Sequence, residues 1–150
     1  MVQVAKLYSL PHFLNDRVEE VAYVKWLRRK VAAHVKGDRK RSASEIIGLD
    51  YRTRIHAAVC ASEGSDHYTG EPLDWSLIGT YCNESSKAGR STYKASMALL
   101  PTVDHVLLED GTYDFVVCAW RTNDAKNDLS HGEFISLCRL VIQHHERNGV

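Results

Sequence analysis

The sequence has no apolar run that approaches the length of a bilayer span. Its first residues, MVQVAKLYSLPHF, also lack the charged segment followed by an apolar core that marks a signal peptide. Internal repeats and low-complexity segments are absent as well, and 150 residues are enough for one domain to bury a sizeable core. These absences predict a cytoplasmic protein with no membrane partner and one compact domain overall.

Cysteine pairs of the CxxC type are missing. The four cysteines, Cys60, Cys82, Cys118 and Cys138, are widely separated in the chain. In a reducing compartment, free cysteines of this kind are usually buried as small hydrophobic side chains. We therefore expect four buried thiols, with a four-cysteine zinc site as the alternative.

A net charge is also absent, because 19 Lys and Arg residues balance 19 Asp and Glu residues. The positive charges are nevertheless concentrated between residues 25 and 41, where Asp38 alone opposes them. The basic residues of this segment are Lys25, Arg28, Arg29, Lys30, Lys36, Arg39, Lys40 and Arg41. Such a concentration predicts a local anionic partner, and the alternative is a solvated helix face.

The first part of the chain has the pattern of helices. Asp16 followed by Glu19 is a capping-box arrangement that predicts the start of a helix, and Gly37 can end it. Apolar residues at three- and four-residue spacing predict its buried stripe, which consists of Val18, Val21, Val24, Leu27, Val31 and Val35. A later helix is predicted to begin at Asp50. Residues 1–58 are therefore expected to be helical and basic.

Later in the chain the pattern changes to a hairpin and a helix. Two apolar runs between residues 99 and 120 flank Glu109-Asp110-Gly111, and Asp-Gly readily takes the positive φ angles of a hairpin turn. Ser130 and Glu133 then form a second capping box. The helix that follows is predicted to bury Phe134, Leu137, Cys138 and Val141. The fold class predicted from these elements is α+β.

The motifs PTVDHV and YDFVVCAWRTNDAKND resemble the core of the HNH nucleases, the ββα-metal or His-Me finger endonucleases. Asp104 and His105 match the residue pair at the end of that family's first strand, and Asn123 with Lys126 matches its Asn-x-x-Lys pattern. The segment CASEGSDHYTGEPLDW is similar to the stretch before that core. The resemblance is strongest over residues 101–129. It implies that the basic helical region 1–58 grips nucleic acid and precedes an HNH-like nuclease core at 59–150, a β-hairpin plus helix with a C-terminal helix.

The resemblance also implies a chemistry, the metal-dependent hydrolysis of DNA, most simply of double-stranded DNA. His105 would activate water, because histidine exchanges protons near neutral pH. Asp104 and Asn123 would hold a divalent metal, Mg²⁺ or alternatively Mn²⁺, through oxygen ligands. The residues expected to contact phosphates are Arg28, Arg29, Arg39, Lys40, Arg41, Arg90, Lys94, Arg121 and Lys126. We expect no structural zinc, because Ala119 and Thr122 stand where the family's second CxxC pair would fall.

One position departs from the family pattern. The family's middle Asn falls nine residues before its last one, and the residue nine positions before Asn123 is Asp114. We expect Asp114 to orient His105 in its place, with the Asp104–His105 pair at a strand end that faces the Asn123 helix. The alternatives are a nucleic-acid-binding module with an inactive finger and a nuclease that acts on RNA. A purely structural alternative also remains, in which Asp104 is a turn residue and His105 is a core histidine whose hydrogen bonds are made within the protein. A homodimer is left open.

Overall fold

The computed structural model describes residues 8–41, 48–80 and 82–149, which combine helices with a two-stranded antiparallel sheet. The predicted α+β class is confirmed. The helices are α1 (Glu20–Arg41), α2 (Gly48–Ser62), α3 (Asn83–Ala88), α4 (Arg90–Ser96), α5 (Trp120–Lys126) and α6 (His131–Asn148), and the strands are β1 (Pro101–Leu107) and β2 (Tyr113–Ala119). Short 3₁₀ turns lie at His12–Leu14 and Trp75–Leu77.

Helix α1 differs from its prediction at both ends. It begins at Glu20 rather than directly after Asp16, because Asp16 has a φ of 63° and so lies in the left-handed region. It also continues through Gly37 to Arg41. A glycine inside a helix costs only about 1 kcal/mol, and the side chain of Asp38, one residue later, is held by hydrogen bonds to Tyr51 and His105. Gly37 is therefore not a stop signal here.

The predicted apolar stripe of α1 is confirmed except at Val21, because Leu27 and Val31 are buried and Val18, Val24 and Val35 pack against the core, and two aromatic residues extend it. Tyr23, Trp26, Leu27 and Val31 are buried, whereas Val21 is 81% exposed. Trp26 contacts Trp75 at 5.4 Å between ring centroids, and its Nε1–H donates to the carbonyl oxygen of Pro101 at 3.3 Å. This contact fixes α1 against the start of β1.

The predicted hairpin is confirmed, with a different turn. The amide of Gly111 donates to the carbonyl of Leu108 at 3.0 Å, and Gly111 has a φ of +80°. Asp110 keeps a negative φ and instead accepts hydrogen bonds from the backbone and side chain of Thr112. A single left-handed glycine after an ordinary turn is a common way to close a three-residue hairpin loop.

A buried carboxylate ties the loop before the hairpin to the junction of β2 and α5. Asp66 is only 2% exposed. One of its oxygens accepts from the Ala119 amide at 2.9 Å and the Thr122 hydroxyl at 2.7 Å, and the other accepts from the Tyr68 amide at 2.7 Å. A buried charge is tolerated only when its lone pairs are satisfied, and here these bonds fix where α5 begins.

Helix α6 begins with the predicted capping box, in which Ser130 and Glu133 exchange hydrogen bonds. The predicted burial of its apolar face is wrong, because Leu137 and Val141 are exposed. The expectation of four buried thiols is also wrong, since Cys118 is buried and Cys138 intermediate while Cys60 and Cys82 are exposed. Among the residues that the structure describes, no helix is long and apolar enough to cross a bilayer.

Candidate active-site groove

A broad groove of about 1270 Å³ lies where α1, the β-hairpin and the α5–α6 junction meet. Side chains that sequence analysis predicted to act together line it, and so do others that it did not predict. The residues that line it include Asp38, Asp104, His105, Asn123, Lys126 and His131.

Asp104 and His105 lie in the middle of a regular strand, which corrects the expectation that they sit at a strand end. β1 continues to Leu107, and in the hairpin Asp104 is opposite Val116 and His105 is opposite Phe115. Successive side chains of a strand point to opposite faces, so the two residues project to different sides of the hairpin. Both still border the groove, which therefore reaches around the hairpin.

Asp104 is a nearly buried carboxylate with three donors. Its Oδ2 accepts from the Tyr68 hydroxyl at 2.7 Å and lies 3.0 Å from Lys126 Nζ, while its Oδ1 accepts from the His105 amide at 2.8 Å. Burial and the hydrogen bond to Asp104 raise the pKa of Tyr68 well above its ordinary value. The Tyr68 hydroxyl therefore keeps its hydrogen at neutral pH and donates a hydrogen bond to the carboxylate.

His105 is held by a carboxylate on α1. Its Nε2 lies 2.9 Å from Asp38 Oδ2, which also accepts from the Tyr51 hydroxyl at 2.8 Å. Burial opposes the charge on Asp38, but the hydrogen bonds from Tyr51 and His105 outweigh it and hold the pKa of Asp38 below its usual value. An ionised carboxylate can only accept, so in the neutral form of the ring Nε2 carries the hydrogen and Nδ1 has the lone pair.

Asp114, which was expected to orient His105, has a different partner. It pairs with Val106 in the hairpin register, and its carboxylate lies 3.3 Å from the guanidinium of Arg54. Because Phe115 is the residue opposite His105, its neighbour Asp114 points to the other face. The carboxylate that holds His105 is Asp38. The sequence distinguishes Asp38 in one way, because it is the single acidic residue between residues 25 and 41.

His34, one turn before Asp38, forms an aromatic wall behind His105. Its ring centroid lies 4.7 Å from that of His105 and 5.3 Å from that of Phe115, and its Nε2 lies 3.2 Å from the Val103 carbonyl oxygen. Burial and the neighbouring His105 lower the pKa of His34 to about 4. His34 is therefore neutral at pH 7 and donates its Nε2–H to Val103.

The opposite wall of the groove comes from α5 and the start of α6. Asn123 lines the groove and is half-buried. His131 packs edge-on against Tyr68 and His67, at 5.3 and 6.2 Å between ring centroids. Burial and the nearby His131 lower the pKa of His67. His67 lies in the segment CASEGSDHYTGEPLDW, whereas nothing in the sequence singled out His131.

The predicted phosphate-binding residues separate into two groups. Those of α1 are exposed. All of them except Arg41 belong to one outer stripe, which we call the basic stripe and which also includes two further lysines. It consists of Lys25, Arg28, Arg29, Lys36, Arg39 and Lys40. By helical spacing the basic stripe lies on the side of α1 turned away from Asp38, whereas Arg41 lines the groove.

The other predicted phosphate contacts are less accessible. Lys94 pairs with Asp124 and Arg121 pairs with Glu71. The side chain of Lys126 is 6% exposed and lies against Asp104 in the groove. The side chain of Arg90 lies outside the described part of the structure.

The oxygen ligands in the groove suit a hard divalent cation. Asp104 offers a carboxylate and Asn123 an amide oxygen, and Mg²⁺ commonly uses one or two protein ligands together with waters and substrate phosphate. Within the described residues, no cluster of three or more His, Cys, Asp or Glu side chains could hold a metal. A cation at Asp104 would have to share or displace the ammonium of Lys126. Asp104 and Asn123 would supply at most two ligands, as at a site of the Mg²⁺ type, and would not form an all-protein cage.

Comparison with known proteins gives no match to any family model, to curated sequences or to solved structures.

Proposed function

We propose that the chain is a metal-dependent endonuclease of the HNH type that hydrolyses DNA phosphodiester bonds. One observation carries this proposal. A histidine whose Nε2 is bonded to a carboxylate borders the same groove as the Asp104 carboxylate and the Asn123 amide. A base, oxygen ligands and a groove open to a polymer are the parts that phosphodiester hydrolysis needs.

His105 is the general base in this proposal. Asp38 fixes the ring through Nε2–H, which leaves Nδ1 to take a proton from the attacking water. The arrangement resembles a carboxylate that orients a catalytic histidine, in which the carboxylate sets the tautomer and does not itself carry the transferred proton.

Asp104 and Asn123 would hold the divalent cation. When bound, the cation neutralises the phosphate and stabilises the leaving oxygen. Tyr68 and Lys126 hold the Asp104 carboxylate in place at the groove. Lys126 also places a second positive charge there, which favours an anionic substrate.

Binding of the DNA backbone would involve two regions of charge. Arg41 lies in the groove itself. The basic stripe is on the far side of α1, so it would contact a stretch of duplex that continues past the cleavage site. Such phosphate contacts give an affinity that falls with salt.

The second candidate is a nucleic-acid-binding module with an inactive finger. The buried Lys126–Asp104 ion pair favours this alternative, because it occupies an oxygen that a cation would need. Asp104 and His105 also project to opposite sides of the hairpin. The two candidates differ in whether DNA is cut.

The test is plasmid cleavage with Mg²⁺, with Mn²⁺ and with excess EDTA. We expect nicked and linear product with either metal and none in EDTA. Asn123→Ala should raise the Mg²⁺ concentration that gives the half-maximal rate at least tenfold. Asn15→Ala is the control, because Asn15 is exposed and does not line the groove, and it should leave that concentration unchanged. Undiminished cutting in EDTA would contradict the metal role, and binding without cutting in any metal would support the inactive module.

A further inference from the structure

Helix α6 carries an apolar face that the described part of the chain leaves exposed. None of its 18 residues is buried. Its large exposed apolar side chains include Leu137 (47%), Leu140 (64%), Val141 (62%) and Ile142 (54%). A single exposed leucine is ordinary, but a contiguous apolar patch on one helix is typical of an interaction surface.

The sequence of α6 has the spacing of a helix that pairs with another helix. Phe134, Leu137 and Val141 are three and four residues apart, as core positions of paired helices are. Most positions on the far side are polar or small, namely Gly132, Ser136, Arg139, Gln143 and Glu146, and Ile135 and Ile142 lie beside them. The face therefore suits an apolar helical partner.

The charged residues beside this face could pair with those of a second copy of the chain. Glu133 and Arg147 each lie seven residues from Leu140 along the same flank of the helix. A two-fold axis at Leu140 would bring Glu133 of one copy against Arg147 of the partner subunit, twice per pair. In a parallel pair, Glu133 would instead face the uncharged Cys138 of the partner subunit.

We propose that α6 is a homodimer interface in which two copies of the chain pair their α6 helices antiparallel about Leu140. Such an interface is isologous, so each subunit presents the same patch. The apolar stripe forms its centre and the two Glu133–Arg147 pairs its rim. The inference does not depend on the proposed nuclease activity.

Sedimentation velocity of the full chain tests the interface. The parent should sediment as a dimer at micromolar concentration. Leu140→Glu places two like charges at the axis and should raise the dissociation constant at least a hundredfold. Gln143→Glu adds the same charge on the polar side of α6 and should leave the dimer intact. A monomeric parent, whose face is then covered by something else, or a dimer that survives Leu140→Glu would overturn the proposal.

A charge reversal tests the antiparallel direction. Arg147→Glu should weaken the dimer about tenfold through two Glu–Glu contacts, and adding Glu133→Lys should restore much of the loss. Because Glu133 also caps α6, far-UV circular dichroism of each variant measures the helix content alongside. If helix content is retained and the double variant is no tighter than Arg147→Glu alone, the antiparallel register is wrong.

Discussion

The contact between His105 and Asp38 joins residues 67 positions apart in the sequence. Tyr51, from a third segment, donates to the same carboxylate oxygen. Three parts of the chain thus converge to fix one imidazole ring and its tautomer. The side chains of His105 and Asp38 are only 21% and 17% exposed, so water competes weakly for this hydrogen bond.

Asp38 is the positioning residue for His105, and Asp114 is not. Asp38→Ala should lower the cleavage rate roughly ten- to a hundredfold with little change in DNA affinity, because the ring is no longer held. Asp38→Asn keeps an oxygen acceptor and should recover much of that rate. Single-turnover cleavage and gel-shift measurements separate the rate from binding.

Asp114→Ala is the matched control for Asp38→Ala. It removes a partly exposed ion pair with Arg54, which is worth less than about 1 kcal/mol. Cleavage should stay within about twofold of the parent. If Asp114→Ala lowers the rate as much as Asp38→Ala does, the assignment of Asp38 is wrong.

The sequence motifs identified four residues that line one groove, namely His105, Asp104, Asn123 and Lys126. They did not identify Asp38, which holds His105. The motif residues are close in the chain, so their spacing carries information. The partner of His105 comes from α1, and a contact over such a separation leaves no mark in the spacing of a single sequence. Counting back from Asn123 therefore selected Asp114, which the strand register turns away from His105.

At the scale of elements, α1 has an inward side and an outward side. Tyr23 and Trp26 pack into the core, and His34 and Asp38, about three turns further along on nearly the same side, border the groove. The outward side is the basic stripe. Because the core residues and the groove residues lie on one helix, the core contacts of α1 fix the position of the groove.

His34 makes the stability of the fold sensitive to acid. Its folded pKa of about 4 is below the ordinary value of 6.5, so the unfolded chain takes up this proton first as pH falls. The contribution of neutral His34 to the free energy of unfolding is complete above about pH 6.5. About 2–3 kcal/mol of it is lost as the pH falls toward 4. His34→Gln keeps a donor for the Val103 carbonyl but does not titrate.

Urea unfolding between pH 7 and 4 measures this effect. The parent should lose stability more steeply than His34→Gln over the window from pH 6.5 to 4. His67 and Asp38 also titrate in or below this range, but they are present in both proteins, so the difference between the two curves isolates His34. Parallel curves would contradict a buried, neutral His34.

The elements that the sequence predicted well are those with strong local signals. The Ser130–Glu133 capping box and the hairpin around Gly111 depend on residues a few positions apart, and both are present. The apolar stripe of α1 was predicted correctly except at Val21, but the prediction missed Tyr23 and Trp26, which bury more area per residue than valine. The exposure of α6 was not predicted, since periodicity gives an apolar face but not the surface that covers it.

At the scale of the whole molecule, the groove lies where helices α1, α5 and α6 meet the hairpin. The hydrophobic core holds α1 against the hairpin, and the Asp66 hydrogen bonds to Ala119 and Thr122 hold the start of α5. The positive charge is shared between the groove and the basic stripe, although the chain has no net charge. Under the proposed function, this arrangement would let a neutral protein bind a polyanion locally.

Cleavage of plasmid DNA by His105→Ala in saturating Mg²⁺, with DNA binding followed in parallel, decides whether His105 is the general base. His12→Ala, an exposed histidine outside the groove, is the control and should cut like the parent. His105→Ala should bind DNA with the affinity of the parent and cut at least a hundredfold more slowly, because it lacks the base. If His105→Ala cuts within about twofold of the parent, His105 is not the general base and the groove is not a nuclease site of this kind.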